Sequence, residues 1–165
     1  MIHNIKIIEI IDNDYLKESV KVIRDSFIMV ANEFCLTEEN CPTNPAFIRF
    51  EKLKELSEKG VRMFGLFCDD KQSGFVAIEK SDNGIYYIEK LAVPPEYRHK
   101  GFGKKLLHFV FDYVKRENGQ KVCIGIINEN IVLKNWYKDN SFAETHIRKF
   151  DHLPFLVCFM EKTLY

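Results

Sequence analysis

The sequence predicts a single α/β domain of the α+β type over residues 1–165, with about four helices flanking a mostly antiparallel mixed sheet of about seven strands. Two observations carry this prediction. Short segments in which apolar and polar residues alternate are bounded by turn-forming residues, which is typical of strands. Longer segments repeat apolar residues every three or four positions, which is typical of helices that pack on a sheet. The chain contains no repeat, linker or low-complexity tract that would divide it.

The N-terminal third of the chain predicts one strand and two helices. Residues 2–10 alternate apolar and polar side chains and predict a strand. A helix follows over 14–31, and either Asp12 or Asn13 has the side chain needed to cap it. A loop rich in turn formers then leads to a second helix over 46–59, which ends at Gly60.

The middle of the chain predicts three strands in antiparallel succession. The sequence Asp-Asn-Gly at 82–84 is a hairpin signal between two of them. Pro94 and Pro95 end the last strand, because proline donates no hydrogen bond and restricts the residue before it. The three strands are predicted over 61–68, 73–81 and 85–93.

The C-terminal third predicts two helices and three strands. Apolar residues from Leu106 to Val114 recur at helical spacing, and this helix ends near Asn118 and Gly119. A compact apolar run at 121–127 predicts a buried strand, and 130–139 predicts a short helix. Two closing strands are predicted over 142–150 and 155–164.

Composition excludes several classes of protein. Lys plus Arg equals Asp plus Glu at 24 each, so no overall field attracts the chain to nucleic acid or to an anionic membrane. The five cysteines form no C-x-x-C pair, which argues against both a disulfide framework and a zinc site. No run approaches the roughly 20 apolar residues of a membrane span, and the first ten residues read as a strand rather than a signal peptide. We therefore expect a cytoplasmic protein with no metal, no nucleic-acid partner and no membrane contact.

The segment YRHKGFGKK at 97–105 concentrates positive charge between a predicted strand and a predicted helix. A helix that begins directly after such a turn leaves backbone N–H groups without acceptors at the positive end of its dipole. Phosphate oxygens bind at such places, and Gly101 and Gly103 allow the backbone to approach them closely. The side chains of Arg98, Lys100, Lys104 and Lys105 would add charge for a second phosphate or for outer contacts.

Two common phosphate-binding loops do not fit this segment. A P-loop requires glycine at position 98 and a hydroxyl residue at 105, where this chain has Arg98 and Lys105. The dinucleotide fingerprint requires a third glycine at position 106, where this chain has Leu106. The alternative that the glycines only punctuate a loop and the lysines only solvate a helix start stays open.

The segment LAVPPEYRHKGFGKKLL resembles the acetyl-CoA-binding signature of the GNAT superfamily of N-acetyltransferases, whose core is Arg/Gln-x-x-Gly-x-Gly/Ala after a strand. Arg98, Gly101 and Gly103 hold those positions. The segment NENIVLKNWYKDNSF at 128–142 is similar to the second signature of the family, with Ser141 in place of its usual glycine. The closing FMEKTL is similar to the last strand of the family, so the resemblance extends over nearly the whole chain.

The resemblance implies acetyl-CoA as co-substrate and a set of residues that bind it. The backbone of the strand end would hydrogen-bond the pantetheine arm as an added strand would, and the turn would hold the pyrophosphate. Asn130 matches an asparagine near the pantetheine, although it equally fits an ordinary helix N-cap. The implied cofactor-binding residues are Leu91, Ala92, Val93, Arg98, His99, Lys100, Gly101, Phe102, Gly103, Lys104 and Asn130.

Two residues are candidates for catalysis. Tyr137 matches a tyrosine that the family places near the cofactor sulfur, where a phenol can protonate the departing thiolate. Glu89 would share a strand face with Tyr87 and Leu91, and an apolar setting would raise its pKa toward that of a useful base. Packing of Tyr137 beside Trp136 and solvent exposure of Glu89 are the structural alternatives.

The predicted reaction is acetyl transfer from acetyl-CoA to a primary amine by direct attack in a ternary complex. The acceptor is a small-molecule or peptide amine, met by the loop at 32–45 and the turn at 151–154. Acidic side chains in that loop, Glu33, Glu38 and Glu39, would attract a cationic amine, although such a charge run is usually solvated. A non-catalytic acyl-CoA-binding module is the alternative function, and the chain is expected to be a monomer or homodimer.

Overall fold

The computed structural model describes residues 2–165, and its elements follow the predicted order closely. Three-residue 3₁₀ turns at Pro45–Phe47 and Pro95–Tyr97 separate some of them. In chain order the strands and helices are β1 (Ile5–Glu9), α1 (Asn13–Glu33), α2 (Phe50–Glu58), β2 (Arg62–Cys68), β3 (Lys71–Lys80), β4 (Ile85–Ala92), α3 (Phe102–Arg116), β5 (Lys121–Ile127), α4 (Ile131–Asp139), β6 (Ala143–Lys149) and β7 (Leu156–Thr163).

Seven strands form one mixed sheet in the order β1-β2-β3-β4-β5-β7-β6. The pairs β1–β2, β2–β3, β5–β7 and β6–β7 are antiparallel. β4 and β5 are parallel, and their ladder joins Ile85–Tyr87 to Lys121–Cys123. The predicted α/β fold, with a mostly antiparallel sheet of seven strands and four helices, is confirmed.

The chain divides into two compact units. The first contains the residues up to Glu79 together with Glu89–Val110, and the second contains Lys80–Ile88 and Phe111–Tyr165. The prediction of a single domain over 1–165 stays a prediction.

The core of the first unit forms between α1, α2 and the sheet. Asp12 caps α1 by accepting a hydrogen bond of 2.9 Å from the backbone N–H of Tyr15. Of the two predicted caps, Asp12 and Asn13, the structure therefore has Asp12. The inner face of α1 buries Leu16 and Ile23 against Phe75 of β3 and other fully enclosed side chains. Two serines, Ser19 and Ser26, lie on this same buried face.

The predicted helix over 46–59 is shorter than expected. Asn44 accepts a hydrogen bond from the N–H of Ala46 and starts the 3₁₀ turn, after which Ile48 and Arg49 have extended backbone dihedrals. The helix proper therefore begins at Phe50. Pro45 permits the 3₁₀ turn as its first residue, and Ile48 is buried as a connecting residue rather than as part of α2.

The second unit ends in two antiparallel strands of different character. β7 buries Val157, Cys158 and Met160, while all seven residues of β6, the last strand of the sheet order, are exposed. Within residues 2–165, no helix is both long enough and apolar enough to cross a membrane.

Candidate active site

The turn between β4 and α3 has an unusual backbone. After the 3₁₀ turn at Pro95–Tyr97, His99 and Gly101 have φ of 60° and 78°, and Lys100 between them stays outside the positive-φ region. Alternation of left-handed and other residues is typical of the concave backbone nests that bind anions. An ideal Cβ at Gly101 would meet no atom within 4 Å, so dihedral freedom rather than space explains the glycine.

Six consecutive backbone N–H groups in this turn, those of residues 99–104, have no acceptor within residues 2–165. The N–H of Arg98 before them donates to the Pro95 carbonyl at 3.2 Å, and the N–H of Lys105 after them donates to the Gly101 carbonyl at 3.0 Å. The last three of the six belong to the first turn of α3. The helix dipole therefore adds to the attraction of this turn for an anion.

The side chain of Arg98 turns away from the role expected for it. Its Nε donates to the Val93 carbonyl at 3.0 Å and its Nη2 to the Ser26 carbonyl at 2.8 Å, so the guanidinium joins α1 to the end of β4. These bonds occupy one of the edges of the guanidinium that can bind a phosphate in bidentate fashion. Any cofactor contact of Arg98 must come from its remaining N–H groups.

The other charged side chains of the turn are exposed. Lys100 and Lys104 reach solvent, and Lys100 Nζ also lies 5.6 Å from the ring centroid of Tyr97. Phe102 is 4% exposed and stacks with Tyr97 at a centroid distance of 6.5 Å. Phe102 therefore offers a ligand only its backbone N–H, while the lysines offer mobile positive charge.

The residues at the end of β4 differ in burial and in whether their backbone groups are free to bind a ligand. Ala92 is fully buried, whereas Leu91 and Val93 are half-buried. Val93 already uses both backbone groups: its N–H donates to Ser26 Oγ at 3.0 Å, and its carbonyl accepts from Ser26 Oγ and from Arg98. A pantetheine arm at Val93 would have to exchange with Ser26.

Glu89 lies on the β4 face that also carries half-buried Tyr87 and Leu91, as predicted. The residue as a whole is exposed, but neighbouring groups partly desolvate its carboxyl. This desolvation, together with a hydrogen bond to the carboxyl group of Glu79, raises the pKa of Glu89. Burial lowers the pKa of the next residue, Lys90.

Asn130 and Tyr137 both lie in the second unit, Asn130 as the N-cap of α4 and Tyr137 within that helix. Asn130 Oδ1 accepts a hydrogen bond of 3.2 Å from the N–H of Leu133, so the capping alternative is realised. Tyr137 is 4% exposed. Its ring packs edge-on against those of Trp136 and Phe142, with ring centroids 4.9 and 5.3 Å apart. Its hydroxyl has no hydrogen-bond partner within the described residues 2–165.

Burial raises the pKa of the Tyr137 phenol well above its ordinary value. The neutral phenol is therefore the form present at physiological pH. A neutral hydroxyl that has no partner among the described residues is a donor available to a ligand, and it does not act as a base.

The segments expected to meet the acceptor carry fewer free charges than predicted. Glu38 lies 3.6 Å from Arg49, while Glu33 and Glu39 are exposed. The His152 ring makes an edge contact with Phe150 at 5.8 Å. These contacts give the loop structure but identify no base in it.

One group of side chains has the composition of a metal site. The ligand atoms of His3, Cys68 and Asp69 lie within 4.8 Å of one another, and His3 Nδ1 already hydrogen-bonds Asp69 at 2.6 Å. The expectation that the protein uses no metal therefore stays a prediction.

Two polar residues, Ser26 in the first unit and Glu144 in the second, make side-chain contacts that were not predicted from the sequence. Ser26 occupies an apolar position of α1, and this break in the apolar face was the available signal. Glu144 accepts hydrogen bonds from two lysines of α4, although its place in an alternating strand gave no such signal.

Comparison with known proteins identifies the family. The model of the acetyltransferase (GNAT) family matches residues 27–142, which is more than half of the chain. Streptothricin acetyltransferase A of Bacillus subtilis is 27% identical over 110 residues, covering 64% of this chain and 63% of that protein. The chain thus spans less than two thirds of the length of this curated relative.

Solved structures of similar fold cover nearly the whole chain. The ribosomal-protein-S18-alanine N-acetyltransferase of Escherichia coli has a TM-score of 0.74 at 15% identity, over 98% of this chain and 94% of that one. The PaiA N-acetyltransferase of Thermoplasma acidophilum, solved with coenzyme A, has a TM-score of 0.74 at 20% identity, over 97% and 99%. The sequence match and the shared fold agree, and the chain belongs to the GNAT acetyltransferase family.

Proposed function

We propose that this protein is an N-acetyltransferase that moves the acetyl group of acetyl-CoA to a primary amine by direct attack in a ternary complex. The observation that carries the proposal is the run of six backbone N–H groups at 99–104 that have no acceptor in the described part of the chain. A pyrophosphate supplies the oxygens that such a run needs, and membership of the GNAT family makes acetyl-CoA its source.

Different parts of the turn would bind the co-substrate in different ways. His99, Lys100, Gly101, Phe102, Gly103 and Lys104 would donate backbone N–H groups to the pyrophosphate. The exposed side chains of Lys100 and Lys104 would add charge-assisted contacts. Leu91, Ala92 and, after exchange with Ser26, Val93 would hydrogen-bond the pantetheine arm. Asn130, which caps α4, is a further residue that we assign to the pantetheine.

Acetyl transfer needs one proton removed and one supplied. The amine nitrogen attacks the thioester carbonyl as the free base, the C–N bond forms, and the C–S bond breaks to release a thiolate. Glu89, whose pKa is raised, would accept the amine proton directly or through water. Tyr137 would donate its phenolic proton to the thiolate and recover it from solvent.

The acceptor we propose is a small-molecule or peptide primary amine. The curated relative is a streptothricin acetyltransferase, so streptothricin is a suitable first compound for a panel that also includes polyamines, amino acids and short peptides. We further propose a cytoplasmic monomer or homodimer without nucleic-acid or membrane partners. All five cysteines are free thiols, as a reducing compartment requires.

Calorimetry and an amine screen test this function together. Acetyl-CoA should bind in preference to ATP and NAD, and at least one amine should release free CoA with a product heavier by one acetyl group. Tight acetyl-CoA binding without turnover over the whole panel would favour the alternative of a non-catalytic acyl-CoA-binding module. A kinetically competent acetyl-enzyme would exclude direct attack.

A further inference from the structure

Glu144 of β6 gathers three hydrogen bonds on one carboxylate, and two of them come from α4. Its Oε2 lies 2.7 Å from Lys138 Nζ, and its Oε1 lies 3.1 Å from Lys134 Nζ. The buried Cys158 thiol of β7 donates to the same Oε1 at 3.3 Å. We infer that Glu144 is a positioning residue for Tyr137, the acid of the proposed reaction, and that it acts through α4.

The contacts of Glu144 constrain α4 at two successive turns. Lys134 and Lys138 are four residues apart, so they lie one above the other on the same side of the helix. The Lys134 side chain is only 10% exposed, and its Nζ also donates to Asn128 Oδ1 at 2.8 Å. One carboxylate bound at both turns resists rotation of the helix about its axis as well as movement along it.

Tyr137 lies between these two lysines in the sequence and depends on the helix for its position. Its ring packs against Phe142, two residues before Glu144, and its hydroxyl has no protein partner within residues 2–165. No hydrogen bond of its own therefore fixes the hydroxyl. With nine residues, α4 is too short to hold its position by helical propensity alone.

The inference rests on the proposed function, because it presumes that Tyr137 donates a proton. A purely structural role for Glu144 is the competing account, since losing three hydrogen bonds would also lower stability. The two accounts differ in whether the effect of Glu144 on turnover requires the Tyr137 hydroxyl.

A double-mutant cycle separates these accounts. The variants are Glu144→Gln, Tyr137→Phe and the double variant, assayed for kcat, for acetyl-CoA affinity and for melting temperature with an amine found by the screen. Glu161→Gln is the matched control, because it makes the same change on β7, where Glu161 pairs with Lys121 of β5 at 3.1 Å. We expect Glu144→Gln to lower kcat by about tenfold, within the range of measured coupling energies.

The expected pattern is that Glu144→Gln costs no more than about twofold in kcat once Tyr137 is Phe, because coupled residues are not additive. Acetyl-CoA affinity should stay unchanged, and Glu161→Gln should keep wild-type kcat. An equal tenfold loss in both backgrounds would overturn the positioning role while leaving Tyr137 as acid. Full activity of Tyr137→Phe would instead refute the proposed acid, and the inference with it.

Should Glu144→Gln fail to fold, Lys138→Gln takes its place in the cycle. It removes one contact of the carboxylate and leaves those of Lys134 and Cys158 intact. We expect Lys138→Gln to lower kcat in the wild-type background and to have little effect once Tyr137 is Phe. An equal loss of kcat in both backgrounds would overturn the positioning role.

Discussion

Gly101 shows how one residue can matter for a ligand without touching any side chain. Its φ of 78° is the dihedral that turns the backbone so that its neighbours' N–H groups converge. A residue with a side chain would have room there but would pay for the left-handed conformation. A substitution at Gly101 therefore changes the backbone dihedrals without creating a steric clash.

Gly101→Ala should weaken acetyl-CoA binding by roughly tenfold, equivalent to about 1.4 kcal/mol, as the turn relaxes away from the nest. Its cost in stability should be about 1 kcal/mol, set by the positive φ alone. Calorimetric titration and urea unfolding measure the two effects.

Gly60→Ala is the control for this substitution. Gly60 also has positive φ, 95°, and open space around its Cβ, but it follows α2. It should lose similar stability and keep wild-type acetyl-CoA affinity. Equal affinity losses in both variants would show that general destabilisation, rather than the nest, explains the effect at Gly101.

Among the elements, α1 and the end of β4 are joined by a small polar contact inside an apolar interface. Ser26 Oγ bonds both backbone groups of Val93, and Arg98 adds bonds to the carbonyls of Val93 and Ser26. The backbone path into the turn at 97–105 is thus fixed by contacts with α1, a helix far away in sequence.

Arg98→Gln should weaken acetyl-CoA binding and lower the melting temperature together, because the Ser26 and Val93 carbonyls lose a half-buried charged donor. Ser26→Ala should have the same two effects, and the double variant should be less than additive. Arg116→Gln removes a positive charge at the exposed end of α3 and serves as the control. An affinity loss with Arg116→Gln of the same size would point to net charge instead.

Local sequence signals predicted most elements correctly because each depends on neighbouring residues. The Asp-Asn-Gly turn has positive φ at Asn83 and Gly84, and the apolar run at 121–127 is β5. The start of α2 was missed, since Pro45 favoured a 3₁₀ turn that helical periodicity does not reveal.

The candidate site was predictable only in part. The turn at 97–105 was predicted because glycine is the residue that most readily adopts a positive φ, and Gly101 has one. The partners of the Arg98 side chain come from α1, which no spacing within the motif reveals. The role of Glu144 likewise depends on how β6 meets α4, which is a tertiary property.

For the molecule as a whole, Glu144 makes the free energy of unfolding depend on pH. Hydrogen bonds from Lys138, Lys134 and Cys158 lower its pKa from 4.5 to about 2. Between these values the unfolded chain binds the proton more readily than the folded one does. The stabilisation by Glu144 is therefore complete above about pH 4.5 and disappears as the pH falls toward about 2.

Urea unfolding between pH 5 and about pH 2 should show a steeper loss of stability in the wild-type protein than in Glu144→Gln. The two curves should approach each other at the acid end, where the wild-type carboxyl is protonated as well. Parallel curves over the whole interval would mean that Glu144 does not contribute to acid sensitivity.

The N–H groups at 99–104, which have no partner among residues 2–165, also affect the choice of buffer for the binding experiments. Backbone donors distinguish poorly between one tetrahedral oxyanion and another, so inorganic phosphate and sulfate should compete with acetyl-CoA at the proposed site. Affinities measured in phosphate buffer or after ammonium sulfate precipitation would be underestimates. Affinities for acetyl-CoA should therefore be compared only between solutions that contain the same anions at the same concentration.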